Sequence, residues 1–228
     1  KGTTLTQAFG VASRGDGGSS LTGLNAGFDL AGGWVNVTAE YSSKAKTHRD
    51  AGDYRVEFGD ASVNNSGLWV NSEIPVGAFT LYNFGGVNHR VGDAYAWTRD
   101  ATSDRNIPSI YPNGFSPQIQ GTIDDQSWAT GLRGEVAGWN ADFYASYGAN
   151  KFDYWVHNSL NRSMGTSTPT EFEAGGFGLT QSIAGTTWDK YFGSAGKGFN
   201  VALGVEARKE SYFIFAGEEA SWQTYDAD

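Results

Sequence analysis

The chain has no cysteine among its 228 residues, which removes disulfide frameworks, thiolate metal sites and cysteine nucleophiles together. It holds no run of about 18 apolar residues, so a membrane-spanning helix is excluded. A strand-built membrane protein is not excluded, because its lipid face uses only alternate residues. Charge is scarce as well: 18% of residues are charged, against roughly a quarter in ordinary globular chains. Bases are the smaller part of that charge, 16 against 25 acids for a net −9. That balance argues against a nucleic-acid partner, which needs a basic face. What is plentiful is glycine, at 32 residues, and aromatic rings, at 14% of the chain. Much glycine and little charge do not describe an ordinary helical enzyme. The opening Lys1-Gly2-Thr3 carries no initiator Met and no leader, and Tyr225-Asp226-Ala227-Asp228 offers no closing strand. The sequence therefore reads as an excerpt of something longer.

Period two dominates. In 24–30 the apolar set is Leu24, Ala26, Phe28 and Leu30, set against Asn25, Gly27 and Asp29. In 35–41 it is Val35, Val37, Ala39 and Tyr41 against Asn36, Thr38 and Glu40; stretches 139–147 and 200–208 repeat the pattern. A strand turns successive side chains to opposite faces, so each segment is a ribbon with one greasy and one polar side. No stretch shows comparable helical spacing. The expected class is all-β.

The connections alternate in length. Ala31-Gly32-Gly33, Pro75-Val76-Gly77 and Ala137-Gly138 read as tight hairpin turns. Between them, 43–67, 91–124 and 155–175 lose the alternation and read as long polar excursions. Pro108, Pro112, Pro117 and Pro169 fall inside those excursions and Pro75 in a tight turn, as expected of a residue that cannot donate to a ladder. Short turns at one end and long loops at the other is the layout of an up-and-down membrane barrel.

A soluble β-sandwich or lipocalin-like barrel also alternates. Three features weigh against it. Ala and Gly interrupt the apolar face. Trp34, Phe79, Trp139, Tyr41 and Tyr147 stand at apparent strand ends, where interfacial girdles need amphipathic rings. The polar face carries bulky charges (Glu40, Glu73, Arg133, Glu135, Glu206, Arg208) that suit a wet lumen and not a small dry core.

The chemistry-bearing motifs are few. His48, His89 and His157 are the 3 histidines; they show no metal-ligand spacing, and no Gly-x-Ser-x-Gly elbow accompanies them. The acidic residues Asp93, Asp100, Asp104, Asp124 and Asp125 lack the order of a calcium loop and read as a solvated rim. Neither catalytic residues, nor a metal site, nor a cofactor is expected. The loop aromatics stand out. Tyr95, Trp97, Tyr111, Phe115, Tyr154 and Trp155 are interleaved with Arg99, Asp100 and Arg105. Rings stack on sugars or aromatic ligands and arginine pairs with carboxylates, so Tyr95, Trp97, Arg99, Arg105, Tyr111 and Trp155 are candidate ligand-binding loop residues. The competing reading is that the rings pack the loops or anchor at a lipid interface.

From Arg105 onward the sequence reads R-N-I-P-S-I-Y-P-N-G-F-S-P-Q-I, then I-D-D-Q-S-W-A-T-G-L-R-G-E, then G-W-N-A-D-F-Y-A-S-Y-G-A-N-K-F-D-Y-W-V-H-N-S-L-N-R-S-M-G. This resembles the barrel region of TonB-dependent outer-membrane receptors of Gram-negative bacteria. Thr38-Ala39-Glu40-Tyr41 and the stretch 202–210 are similar to the same family, and the resemblance covers most of 20–222. It implies an outer-membrane barrel closed around an N-terminal plug, importing a scarce nutrient such as a siderophore, vitamin or oligosaccharide. Its partners would be outer-membrane lipid and a TonB-type energy-coupling protein that acts through the plug. Residues 1–228 would form a partial barrel of about nine or ten antiparallel strands, since plugged transporters have about 22; plug and C-terminal strands are not in the sequence. The resemblance further implies a polar lumen, here Asn36, Glu40, Arg133, Asn140, Asp142 and Glu206. The alternatives are a passive outer-membrane porin or adhesin-like barrel, and a soluble β-sandwich binding module.

Overall fold

The computed structural model describes residues 2–49, 58–193 and 197–225. Nine strands follow one another in sequence: β1 (Gly2–Gly10), β2 (Ser19–Leu30), β3 (Gly33–Lys44), β4 (Ser62–Val76), β5 (Phe79–Tyr95), β6 (Gln118–Val136), β7 (Trp139–His157), β8 (Phe172–Phe192) and β9 (Phe199–Phe215). Each pairs antiparallel with the next in a single 9-stranded sheet of order β1 to β9. The all-β, up-and-down expectation is met, and so is the strand number. β1 and β9 are the two edges, so the sheet is not closed. Among the described residues the helical content is a 3-10 stretch, Arg162–Ser167, and one turn, Glu219–Trp222.

The turns follow their residues. Ala31 and Gly32 both have positive φ (50° and 80°), as do Ala137 and Gly138 (51° and 75°); two left-handed residues in succession make the turn whose twist matches a hairpin. The middle turn differs from expectation. β4 runs on through Pro75, which pairs with Thr80, and the turn is Gly77-Ala78 with Gly77 at φ 62°. Pro75 sits next to the last residue of its strand, where a missing N–H costs little.

The long connections are shorter than the lost alternation suggests. Strands continue to Lys44, Tyr95 and His157 and resume at Ser62, Gln118 and Phe172. The outer halves of these strands are polar on both sides, as in Asn64-Asn65-Ser66 opposite His89-Arg90-Val91. The ladder persists where neither face needs to be greasy, so period two vanishes before the strand does.

Directly opposed residues of an antiparallel pair project on the same side, and the register therefore sorts every strand residue onto one of two faces. Ala26, Val37, Val70, Gly85, Trp128 and Tyr147 form one row across six strands; Leu24, Ala39, Leu68 and Val87 form the next. This is the apolar face. The opposite face carries Asn36, Asn71, Phe84, Ala129, Ser146, Ile183 and Arg208 in one row. Phe79, Trp139, Tyr41 and Tyr147 fall on the apolar face, whereas Trp34 pairs with Glu73 and lies on the polar one. Trp34 is thus not part of an apolar-side girdle; the Gly32-Gly33 step places it one residue out of phase with Val35.

Neither face is packed against a second layer among the described residues. Leu24, Phe28, Leu68, Val87, Phe143 and Leu203 are all exposed. The accessible surface is 13848 Å², whereas a compact 24.5 kDa monomer has about 10,000 Å² by mass scaling. A sandwich would have hidden that difference. The buried apolar side chains are Ile107, Phe115, Ala141 and Phe172, and of these only Ala141 lies in the body of the sheet. Ile107 and Phe115 belong instead to the connection 96–117, which has its own small core.

Candidate functional site

All six residues expected in the lumen, Asn36, Glu40, Arg133, Asn140, Asp142 and Glu206, share the polar face. Three of them join one network. The row Glu73–Tyr82–Gly131–Tyr144–Gly185–Glu206 crosses six strands. Its tyrosine rings lie over Gly131 and Gly185, where no Cβ fits beneath them; a ring covering a bare glycine backbone holds strand register. The Tyr82 hydroxyl donates to both Asp142 oxygens at 3.0 and 3.1 Å, and Tyr144 donates to Glu206 at 3.0 Å. Arg133 faces Asp142 across the ladder and bonds Glu73 at 2.6 Å. Arg208 bonds Glu206 at 2.8 Å and lies 3.8 Å from Glu210, to which Gln181 donates at 2.6 Å. Glu73, Asp142, Glu206 and Glu210 are therefore tied up by arginine, phenol and carboxamide, mostly from neighbouring strands. Asn36 pairs with Asn25 through two carboxamide bonds of 2.8 and 3.0 Å, and Asn140 donates to Asp189 at 2.9 Å. Glu40 stands opposite Gly23 and Gly67, with no bond to a described residue.

The six loop candidates do not form one site. Trp97, Arg99 and Arg105 come together with Asp100 and Asp104 around a cavity of about 410 Å³ at the tip of 96–117. Thr102 donates to Asp100 from its hydroxyl and its backbone N–H, and these bonds hold that carboxyl below its ordinary 3.8. Tyr111 sits inside the same connection, stacked on Phe115 at 4.5 Å and donating to the Ser159 carbonyl at 3.1 Å. Burial first, then the charge of Glu171, raises its phenol above 10. Tyr111 therefore packs one loop on another.

Tyr95 and Trp155 lie on the side of the apolar belt, at the outer end. Tyr95 carries Lys46 over its ring at 4.3 Å, and Lys46 also reaches Asp93 and Gln118 at 2.7 Å each. Trp155 stacks on His157 at 6.4 Å, just beyond the register shift between Asp153 and Trp155. His89 bonds Asp124 at 2.7 Å within β5 and β6. Among the described residues no three His, Asp or Glu side chains gather around a point where an ion would sit.

Sequence reading missed the phenols of Tyr82 and Tyr144 and the indole of Trp69. The signal was present as aromatic residues at polar-side positions, each with a glycine on the adjoining strand. It was unreadable without register, because Tyr82 and Gly131 are far apart in the chain. No helix of the described residues is long and apolar enough to cross a membrane, which leaves crossing by strands untouched. Comparison with protein-family models, with curated proteins and with solved structures found no match to this chain.

Proposed function

We propose that this chain is a wall segment of a bacterial outer-membrane β-barrel, and that the whole protein is a plugged receptor of the TonB-dependent kind. It would import a scarce nutrient with energy delivered by a periplasmic coupling protein. The observation that carries this reading is the sheet's two unlike and uncovered faces. One is largely apolar and bare, with Ser72, Asn83 and Thr130 hydrogen-bonded to one another within it; the other is polar and carries the Arg133–Glu73 and Arg208–Glu206 ion pairs. Hydrocarbon accounts for the first and a water-filled interior for the second. On β7 the apolar-side rings Trp139 and Tyr147 stand eight residues apart. At about 3.4 Å per residue and a tilt near 40° that is about 21 Å, close to the ~25 Å apolar band of outer-membrane barrels. The 19 residues of β6 rise about 47 Å on the same geometry, so its polar outer half stands clear of the bilayer. Such a tall wall, capped by connections with their own packed core, suits capture of a ligand outside the cell.

The receptor reading is tested by conductance. Full-length protein in a planar bilayer in potassium chloride should pass no steady current and should bind the periplasmic domain of the coupling protein. A steady ohmic current without that binding would replace the receptor by a passive porin.

A further inference from the structure

Most charged side chains of the inner face find partners there, whereas a group of uncharged polar ones around Trp69 does not. This residue pairs with Gly86 across the ladder and stands two positions from Gly67 on its own strand. A Cβ on either glycine would run into the indole ring. The indole therefore lies flat on two bare stretches of backbone, with one π face against the sheet and the other open. Beside it is a trough of about 460 Å³ lined by Trp69, Asn71, Phe84, Asn88, Asp125 and Ser127. All six project on the polar side, and Phe84 is 52% exposed. Here the pairing stops. Among the described residues the Trp69 N–H, the Asn71 carboxamide and the Ser127 hydroxyl have no partner. The Asn88 Oδ1 is shielded from water and also unpaired. Asp125 accepts from Asn150 at 2.6 Å through Oδ1 only.

We propose that this trough is a saccharide subsite. A pyranose presents a flat C–H face and a rim of hydroxyls. The open indole face takes the first, while the Asn71 carboxamide, Ser127 and the second Asp125 oxygen take the rim. The trough holds no base to attract an anion. Its one carboxylate is already engaged, which leaves little to select a cation. A flat aromatic ligand would stack but leave those polar groups unused. Neutral sugar satisfies both halves. The subsite rests on the barrel reading and narrows the imported nutrient to an oligosaccharide.

The test uses the full-length protein inserted in lipid nanodiscs, with insertion verified by the slower migration of heated against unheated samples. Maltohexaose, cellohexaose, xylohexaose and mannohexaose serve as probes, with hexalysine and hexaglutamate as charged controls, read by calorimetry and saturation-transfer NMR. At least one neutral hexasaccharide should bind. Trp69→Ala should weaken it about tenfold or more, and Trp128→Phe, on the opposite face, should not change it. Because the indole also covers two glycines, Asn71→Ala provides a variant that touches no packing; a loss of about threefold to tenfold is expected. The subsite is overturned if inserted protein binds none of the sugars, if Trp69→Ala and Asn71→Ala bind as the parent does, or if a charged peptide is preferred. In those cases the barrel stands. Full-length protein that fails to insert overturns the barrel and the subsite with it.

Discussion

A single arginine placed on either side of β4 should separate the two faces energetically. Val70 and Asn71 are neighbours that project oppositely. Val70 lies six residues from the end of β4, about 16 Å above the turn at the tilt used above, inside the apolar band but below its outer edge. Its lateral neighbours are Val37 and Gly85. A carboxylate on this face, Asp124, is four residue steps outward from the Val70–Gly85–Trp128 row, about 14 Å of strand and out of an arginine's reach. Val70→Arg should therefore meet a depth-dependent penalty between the interfacial and midplane values, about 1–3 kcal/mol, a shift of roughly 5- to 160-fold in the folding equilibrium. Asn71→Arg enters the wet side, beside a carboxylate-rich face, and should stay within about 0.5 kcal/mol. The assay is reversible urea titration of the full-length protein inserted in lipid vesicles, followed by tryptophan fluorescence. Equal costs, or a larger cost at Asn71, would refute the assignment of faces.

Three further outcomes follow from local geometry. Ala137 holds φ 51° at the first position of its turn, a region that strains alanine; Ala137→Asn should stabilise the hairpin by about 0.5–1 kcal/mol, measured by the same titration. Asn106 is 2% exposed and donates to the Ala101 and Tyr111 carbonyls at 3.2 and 2.9 Å, so Asn106→Ala should cost the 96–117 connection about 1–3 kcal/mol. Hydrogen exchange should show faster amides there and unchanged ones in β6 and β7. Asp16, in the connection between β1 and β2, is held below its ordinary 3.8 first by its bond from Arg49 and then by the His48 N–H. A depressed carboxyl stabilises above its unfolded value and loses that contribution as pH falls through its folded value. The contact between this connection and 45–49 should thus be fully present above pH 3.8 and open only as pH falls further, through the lower folded value, seen as faster exchange at the His48 amide. Asp16→Asn should remove the pH dependence.

Alternation and turn chemistry made much of this fold legible in advance. Val35, Val37, Ala39 and Tyr41 alternate because one side must be apolar, and Ala137-Gly138 announces its own turn. Strand ends were not legible. Asn88 to Tyr95 and Gln118 to Asp125 pair along the ladder without any apolar demand, so nothing in their sequence separates them from loop. Trp34 was misplaced because a girdle ring and a polar-side ring differ only by a phase that the preceding glycines shift. The polar-face network was half legible. Arg133, Asp142 and Glu206 follow from parity, but their partners Tyr82 and Tyr144 are chosen by register between strands far apart in the chain. The unpaired set around Trp69 is further from reach, because what marks it is the pairing of most charged side chains on its face.

The assignment of hydrocarbon to one face and water to the other is tested most directly by cysteine scanning in these 228 residues, which hold no cysteine of their own. Single cysteines at 142–147 in vesicle-inserted protein, carrying a nitroxide label, should alternate strictly. Positions 143, 145 and 147 should collide with oxygen dissolved in the acyl chains, and 142, 144 and 146 with a water-soluble nickel chelate. Uniform collision with the chelate along the stretch, or the opposite phase, would contradict the account.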